Sequence, residues 1–465
     1  MNKYQKLVSN SLIFAIGNIG SKMITFLLLP LYTYTLSTQD YGTADLVQTT
    51  VTLLVPIISL NIFEGVLRFA MDRNENKIDV LNVGFTLSVF GSLVFLAIGI
   101  VGMLFGIKNI MFMMAIVVVQ SFQSLFSQYV KAIGKVSVFA VNGVLLTLIT
   151  VIFDVLFLVL FSFGLNGYFW ALILATICSN VYLMYRGEFV PDLSMKIDNE
   201  LAKRMTKFSV PLIPNSVAWW ATSAISRYFI LYFVGAAANG IFAVANKIPA
   251  LLSVVNSIFF QSWQISAIEE FDSDNKKEFY SNVFSMYSKM MLLGTSAVLL
   301  ILKPLMMLIV SHAFYSAWKY IPFLLLSVVY SSFSSFLGQY YIAAKKTDGI
   351  LTTTIYGTIL NIILNFILIP KIQLFGAAVS AMVSYFVIWM MRARGVQKFV
   401  ESDFDFKGLL INHIVIFAQI FFLFSQSGAL LYGIESLLLL ASISVNYSIV
   451  KLLVNGMLQL IKRKM

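Results

Sequence analysis

Apolar runs of about 20 residues follow one another along nearly the whole chain, separated by short polar stretches. Each run is long enough to cross a hydrocarbon core of about 30 Å as a helix. In lipid the backbone must satisfy its own hydrogen bonds, so these runs predict helices. The alternating ten-residue segments of a β-barrel are absent. Fourteen segments are expected, at about 9–36, 42–70, 79–105, 108–131, 137–163, 166–186, 206–235, 238–267, 280–309, 315–343, 348–371, 374–392, 407–427 and 429–452. The longest polar loop, Gly187 to Met205, follows the sixth.

The polar pattern inside the apolar runs repeats. Residues 121–135 (SFQSLFSQYVKAIGK) align without gaps on residues 332–346 (SFSSFLGQYYIAAKK), with seven of fifteen positions identical, Gln128/Gln339 and Tyr129/Tyr340 among them. The offset places segment 4 on segment 10. Both run in the same direction, so the halves are parallel repeats related by an axis along the membrane normal. The expected organisation is an N-terminal six-helix lobe (1–190), a cytoplasmic linker (191–205), a C-terminal six-helix lobe (206–400) and two added helices (401–465). Duplicated helical membrane proteins are most often transporters, with the substrate site between the repeats near the bilayer midplane.

Composition agrees. Of 465 residues 59% are apolar and 11% charged, and the mean hydropathy is +0.87. A soluble protein carries about 25% charged residues. The net charge of +11 reflects basic loops on one side of a membrane rather than a nucleic-acid partner. With the N-terminus in the cytoplasm, 24 Lys and Arg fall in inside segments and four outside: Lys108, Lys303, Lys319 and Lys371. That asymmetry places both termini in the cytoplasm and the protein in the cell membrane. The N-terminal segment, polar from Asn18 to Lys22, does not read as a cleaved signal peptide. The lone Cys178 permits no disulfide within the chain.

Several polar residues sit where lipid would be expected. Lys22 shares a helical face with Asn18 in segment 1. Asp45 opens segment 2 and Glu64 lies near its end; Asp154 is inside segment 5. Arg227 lies in segment 7 on a face with Asn215 and Trp219, and Lys247 is in segment 8. A charge at the bilayer centre costs about 2.5–3.5 kcal/mol on insertion scales, so these groups face protein or a watery cavity. Two readings stand side by side: internal ion pairs, with Glu64 or Asp154 neutralising a lysine, or a cavity lined by cations. The Ser and Gln stripes of segments 4 and 10, which include Gln128 and Gln339, allow the same choice between packing glue and cavity wall. Catalytic constellations, a phosphate loop and a cofactor motif are all lacking, so a non-enzyme without cofactor is expected.

Three stretches together resemble one family. Gly20-Ser-Lys22 with Leu29-Pro30-Leu-Tyr-Thr-Tyr34 and Asp40-Tyr41-Gly42 is similar to the first helix pair of bacterial polysaccharide flippases. Ser226-Arg227 and the run from Gly240 to Pro249 resemble their seventh and eighth helices, and Leu360 to Pro370 followed by Gly376-Ala-Ala378 their eleventh and twelfth. The resemblance is to the Wzx-type polysaccharide exporters of the multidrug/oligosaccharidyl-lipid/polysaccharide (MOP) superfamily. One position departs: the residue before the arginine, often acidic in that family, is Ser226 here.

The resemblance implies a MATE-like two-lobed bundle that flips an undecaprenyl-pyrophosphate-linked oligosaccharide by alternating access. The partners it implies are that lipid-linked oligosaccharide, membrane lipids, a coupling H+ or Na+, and polysaccharide assembly proteins. Lys22, Arg227, Lys247, Asn18, Asn215, Trp219, Gln128 and Gln339 are the expected binding residues; Glu64, Asp154 and Asp45 are the expected ion-coupling candidates. No metal site is expected. Two other functions compete. A cation-coupled drug exporter of the same superfamily would be hampered by Lys22, which repels cationic drugs. A polysaccharide polymerase or ligase would be expected to carry a large outside loop, and the outside loops here are short.

Overall fold

A computed structural model describes residues 26–451 except 73, 107, 345, 347, 399 and 448–450. Among these residues every regular element is helical, and eleven helices are long and apolar enough to cross a membrane. The chain is an all-α multi-pass membrane protein. Eleven is lower than the fourteen expected for identifiable reasons. Segment 1 lies largely outside the described residues. Segments 11 and 12 run on as one helical element, and segment 7 contains side chains, Trp219 among them, that lie outside the described residues.

The described residues divide into two compact units. The first takes those up to Leu231 together with Gly235–Gly240; the second takes Tyr232–Val234 and those from Ile241 onward. The first unit holds α1 (Leu29–Thr35), α2 (Thr38–Ile58), α3 (Ile62–Ala70), α4 (Lys77–Leu104), α5 (Ile110–Ala132), α6 (Val136–Asp154), α7 (Gly164–Gly187), α8 (Asn199–Ser209) and most of α9 (Ile213–Phe233). Helix α2 starts cleanly because Ser37 caps it, its Oγ accepting from the Asp40 amide at 3.0 Å. Segment 2, expected as one helix, breaks after Ile58. Pro56 lacks an amide hydrogen, and Leu60 and Asn61 adopt left-handed φ of 53° and 51°; asparagine tolerates that region better than most residues. The Gly187–Met205 loop also differs from expectation. It contains the start of α8, capped by Asp198, whose Leu201 and Met205 share a buried apolar cluster with Ile62 and Val66 of α3.

Outward faces identify the lipid side. Phe90, Leu93 and Ile98 of α4 are exposed. Of the most apolar stretch of Val136–Leu160, only 11% of residues are buried. Surfaces this apolar suit hydrocarbon rather than water. In lipid the hydrophobic effect does not drive helices together, so small residues and polar contacts must.

The second unit contains α10 (Ala236–Ala245) beyond Gly240, α11 (Lys247–Glu269), α12 (Lys276–Ile309), α13 (Ile321–Ala343), α14 (Asp348–Val396), α15 (Phe406–Ser425) and α16 (Gly428–Val445). Segment 8 is interrupted between α10 and α11, because Pro249 cannot donate to the Ala245 carbonyl. Helix α13 is the centre of the unit, with 78% of its most apolar stretch buried. Helix α14 reverses at Ile372 and Gln373, where the dihedrals are non-helical. Its two limbs then run antiparallel: a Cβ on Gly376 would lie 2.6 Å from the Leu368 backbone, and one on Gly357 2.2 Å from Ile388. Arg392 clamps both limbs to α13. It donates to Thr353 Oγ1 at 3.0 Å, the Ser334 carbonyl at 2.7 Å and Thr354 Oγ1 at 3.0 Å.

Candidate functional site

Two charged residues of the first unit, Asp45 and Arg227, meet between α2 and α9. On α2, Asp45, Thr49 and Thr52 recur at helical spacing and share a face. Arg227 on α9 donates from Nε to Asp45 Oδ2 at 2.7 Å, with the two side chains 20% and 17% exposed. Asn239 donates to the same carboxylate oxygen at 3.3 Å and to the Gly42 carbonyl at 3.0 Å. Two further bonds run along the same pair of helices. Trp220 Nε1 donates to the Thr49 carbonyl at 2.7 Å, and Thr50 and Tyr228 share a hydroxyl contact of 2.7 Å.

Asn239 can reach Gly42 because the backbones nearly touch. A Cβ on Gly42 would lie 1.9 Å from the Ala236 carbonyl oxygen, and one on Gly240 2.0 Å from that of Thr38. Only glycine at both positions permits this approach.

A polar cavity of about 590 Å³ lies further along α2. Thr52, Asn61, Glu64, Gln120, Ser124, Asn215 and Ser216 line it. The left-handed turn at Asn61 contributes to its wall, so the break in α2 helps to shape the cavity. Glu64 is held by Gln128, whose Nε2 donates to Oε1 at 3.2 Å. Carboxylate, amides and hydroxyls together offer acceptors and donors to a polyhydroxylated molecule.

The expected residues are distributed as follows. Arg227 and Asp45 meet; Asn215 and Glu64 share the cavity, with Gln128 behind Glu64. Asp154 stands apart, fully buried, and accepts from the Tyr32 hydroxyl at 2.6 Å. Gln339 belongs to the second unit and is 4% exposed on α13. The stripe leading to it is inward-bonded: Ser327, Ser331 and Ser334 donate to carbonyls of their own helix. In the first unit the matching stripe divides. Gln120 and Ser124 face the cavity, while Gln123 bonds Ser179 at 3.4 Å. Lys247, partly buried, opens α11 in the second unit. Lys22, Asn18 and the Trp219 side chain lie outside the described residues.

Asn239, Tyr228 and Asn61 join the site without having been expected. Asn239 had a signal, since it precedes the glycine of the Gly240–Pro249 stretch. Glu435, well inside segment 14, also was not among the expected carboxylates.

The fold is shared with solved membrane proteins of the flippase and MATE types. Lipid II flippase MurJ in its inward closed conformation aligns with a TM-score of 0.68 at 13% identity, over 96% of this chain and 100% of that one. An inward-facing multidrug resistance MATE family transporter aligns with a TM-score of 0.63 at 15% identity, over 83% of this chain and 98% of that one. The chain belongs to the polysaccharide biosynthesis protein family, whose model matches residues 7–264. Among curated proteins, Lsg locus putative protein 1 of Haemophilus influenzae is 23% identical over 259 residues, 54% of this chain and 63% of that protein. An uncharacterized membrane protein of Methanocaldococcus jannaschii is 25% identical over 247 residues, 48% of each chain. The match thus spans about half to under two thirds of the length of these curated relatives.

Proposed function

We propose that the chain is a flippase that moves an undecaprenyl-pyrophosphate-linked oligosaccharide from the inner to the outer leaflet of the bacterial cytoplasmic membrane by alternating access. The observation that carries this reading is Arg227, an arginine held within apolar helices of the same unit as a polar cavity further along α2, in a chain of the polysaccharide biosynthesis family. A guanidinium suits a pyrophosphate, since its planar fork matches two phosphate oxygens. Amides and hydroxyls such as Gln120, Ser124 and Asn215 suit sugar hydroxyls. The polyprenyl tail stays in lipid.

In this scheme the headgroup exchanges with Asp45 for Arg227, and Lys22 adds positive charge. Glu64, which lines the cavity, is the better placed of the candidate H+ or Na+ carriers; Asp154 is enclosed by protein. The repeats form the two moving lobes, and both termini lie in the cytoplasm. The test is a cell whose own flippase has been removed and whose glycan synthesis is intact. Supplying this chain should restore surface glycan and clear the lipid-linked intermediate. Unchanged accumulation of that intermediate, with raised resistance to cationic drugs instead, would favour the drug-exporter reading.

A further inference from the structure

Helices α15 and α16, the hairpin outside the repeat, enclose a polar group with α12. Gln419 on α15, Glu435 on α16 and Ser296 on α12 are each fully buried. Gln419 Nε2 donates to Glu435 Oε2 at 2.9 Å and to the Ser296 carbonyl at 3.2 Å. Those two bonds use both amide hydrogens and link the three residues through the Gln419 amide. They also fix the amide's orientation, because its oxygen turned toward the carbonyl would meet only another acceptor.

Three oxygens of the group are left over. Glu435 Oε1, Gln419 Oε1 and Ser296 Oγ are buried and have no hydrogen-bond partner among the described residues. The charged group that faces this region is Lys303, two turns along α12. Its ammonium lies 4.4 Å from the centre of the Trp318 ring and donates to the Gln426 carbonyl at 3.4 Å. Among the described residues it makes no ion pair with Glu435 within 4.0 Å.

A buried carboxylate needs a compensating charge. A proton on Glu435 would let Oε1 donate to one of the other two oxygens and would leave the third unpaired. A hard cation takes carboxylate, amide and hydroxyl oxygens as ligands and cancels the charge at once. We propose that Glu435, Gln419 and Ser296 form a sodium-binding site that ties the added hairpin to α12. This stands apart from the flippase reading, and its test needs no transport.

The experiment uses the full-length protein purified in detergent at pH 8. Binding of radioactive Na+ is measured, and melting is followed in NaCl, KCl and choline chloride at equal ionic strength. The wild type is expected to bind about one Na+ per chain, by the single-site geometry, and to show a saturable rise in melting temperature in NaCl alone. Glu435→Gln should lose the binding and the rise. Ser296→Ala, which removes one ligand and no charge, should weaken binding about tenfold, the equivalent of about 1.4 kcal/mol. It locates the site even if the glutamine variant misfolds. Three results would overturn the proposal: no Na+ binding by the wild type, undiminished binding by Ser296→Ala, or melting that follows pH and ignores Na+. The last would make Glu435 a protonated acid holding helices together.

Discussion

Replacing Arg227 and Asp45 singly and together separates an anion site from a structural ion pair. Arg227→Ala removes the ion partner of Asp45, a carboxylate 17% exposed in the intact pair, and leaves Asn239 as its remaining described donor. Removing one partner of a buried pair costs about 3–5 kcal/mol, and partial exposure here favours the low end. A loss of about 3 kcal/mol lowers the melting temperature by about 6–12 °C for a unit of this size. Asp45→Asn should cost about as much, because it strands the guanidinium. The double variant Arg227→Gln with Asp45→Asn has no charge to strand and should recover most of the stability.

Ligand binding should divide differently. Arg227→Ala should weaken binding of inorganic pyrophosphate about 10–100-fold, the worth of a hydrogen bond from a charged group. Asp45→Asn removes the competing carboxylate and should tighten binding about tenfold. The double variant should be stable and bind poorly. Melting curves in detergent and calorimetric titration with pyrophosphate read both effects. If Asp45→Asn weakened binding as much as Arg227→Ala, or the double variant bound like the wild type, the pair would be structural and Arg227 would not be an anion ligand.

Three further outcomes follow from the packing. Gly42→Ala puts a Cβ 1.9 Å from the Ala236 carbonyl oxygen, so α2 and α10 must separate; a loss of about 1–3 kcal/mol or more is expected on melting, with Gly240→Ala alike. Arg392→Met leaves the Ser334 carbonyl without its guanidinium donor and should cost about 1–3 kcal/mol, with Arg392→Lys a poor rescue because an ammonium cannot span the same acceptors. The Lys289 ammonium and the Gly408 amide hold the Asp405 carboxyl below the usual carboxylate range. Its folded value is therefore the lower one, so the stability it contributes is present above its unfolded value of about 3.9 and lost as pH falls through the folded value. Acid unfolding below about pH 4 should flatten in Asp405→Asn.

Much of the fold was legible because lipid allows few alternatives. Apolar length alone located most of the helices, and the gap expected between segments 11 and 12 falls at the reversal of α14. The break in α2 was harder to see. Pro56 and Asn61 signal it, but the apolar run continues across both, so hydropathy suggests one helix. Arg227 was identifiable as a charge that lipid would not tolerate. Its pairing with Asp45 was not, because the two lie 182 positions apart and Asp45, near a helix start, could equally have reached water. The serine stripe of α13 shows the opposite limit. Serine bonds its own helix as readily as it lines a cavity, and the pattern alone does not distinguish these. Glu435 was hidden by its partner: the amide of Gln419 makes a buried carboxylate tolerable, and nothing in the spacing of the two residues announces the contact.

Reconstituted vesicles test the central claim most directly. The purified protein is placed in liposomes that contain undecaprenyl-pyrophosphate-linked oligosaccharide, and a glycosidase added outside reports how fast the inner-leaflet glycan becomes accessible. The account predicts that the wild type exposes that pool and that Arg227→Ala, folded and inserted, does not. Glycan exposed no faster than in protein-free vesicles, or equally by wild type and Arg227→Ala, would contradict it.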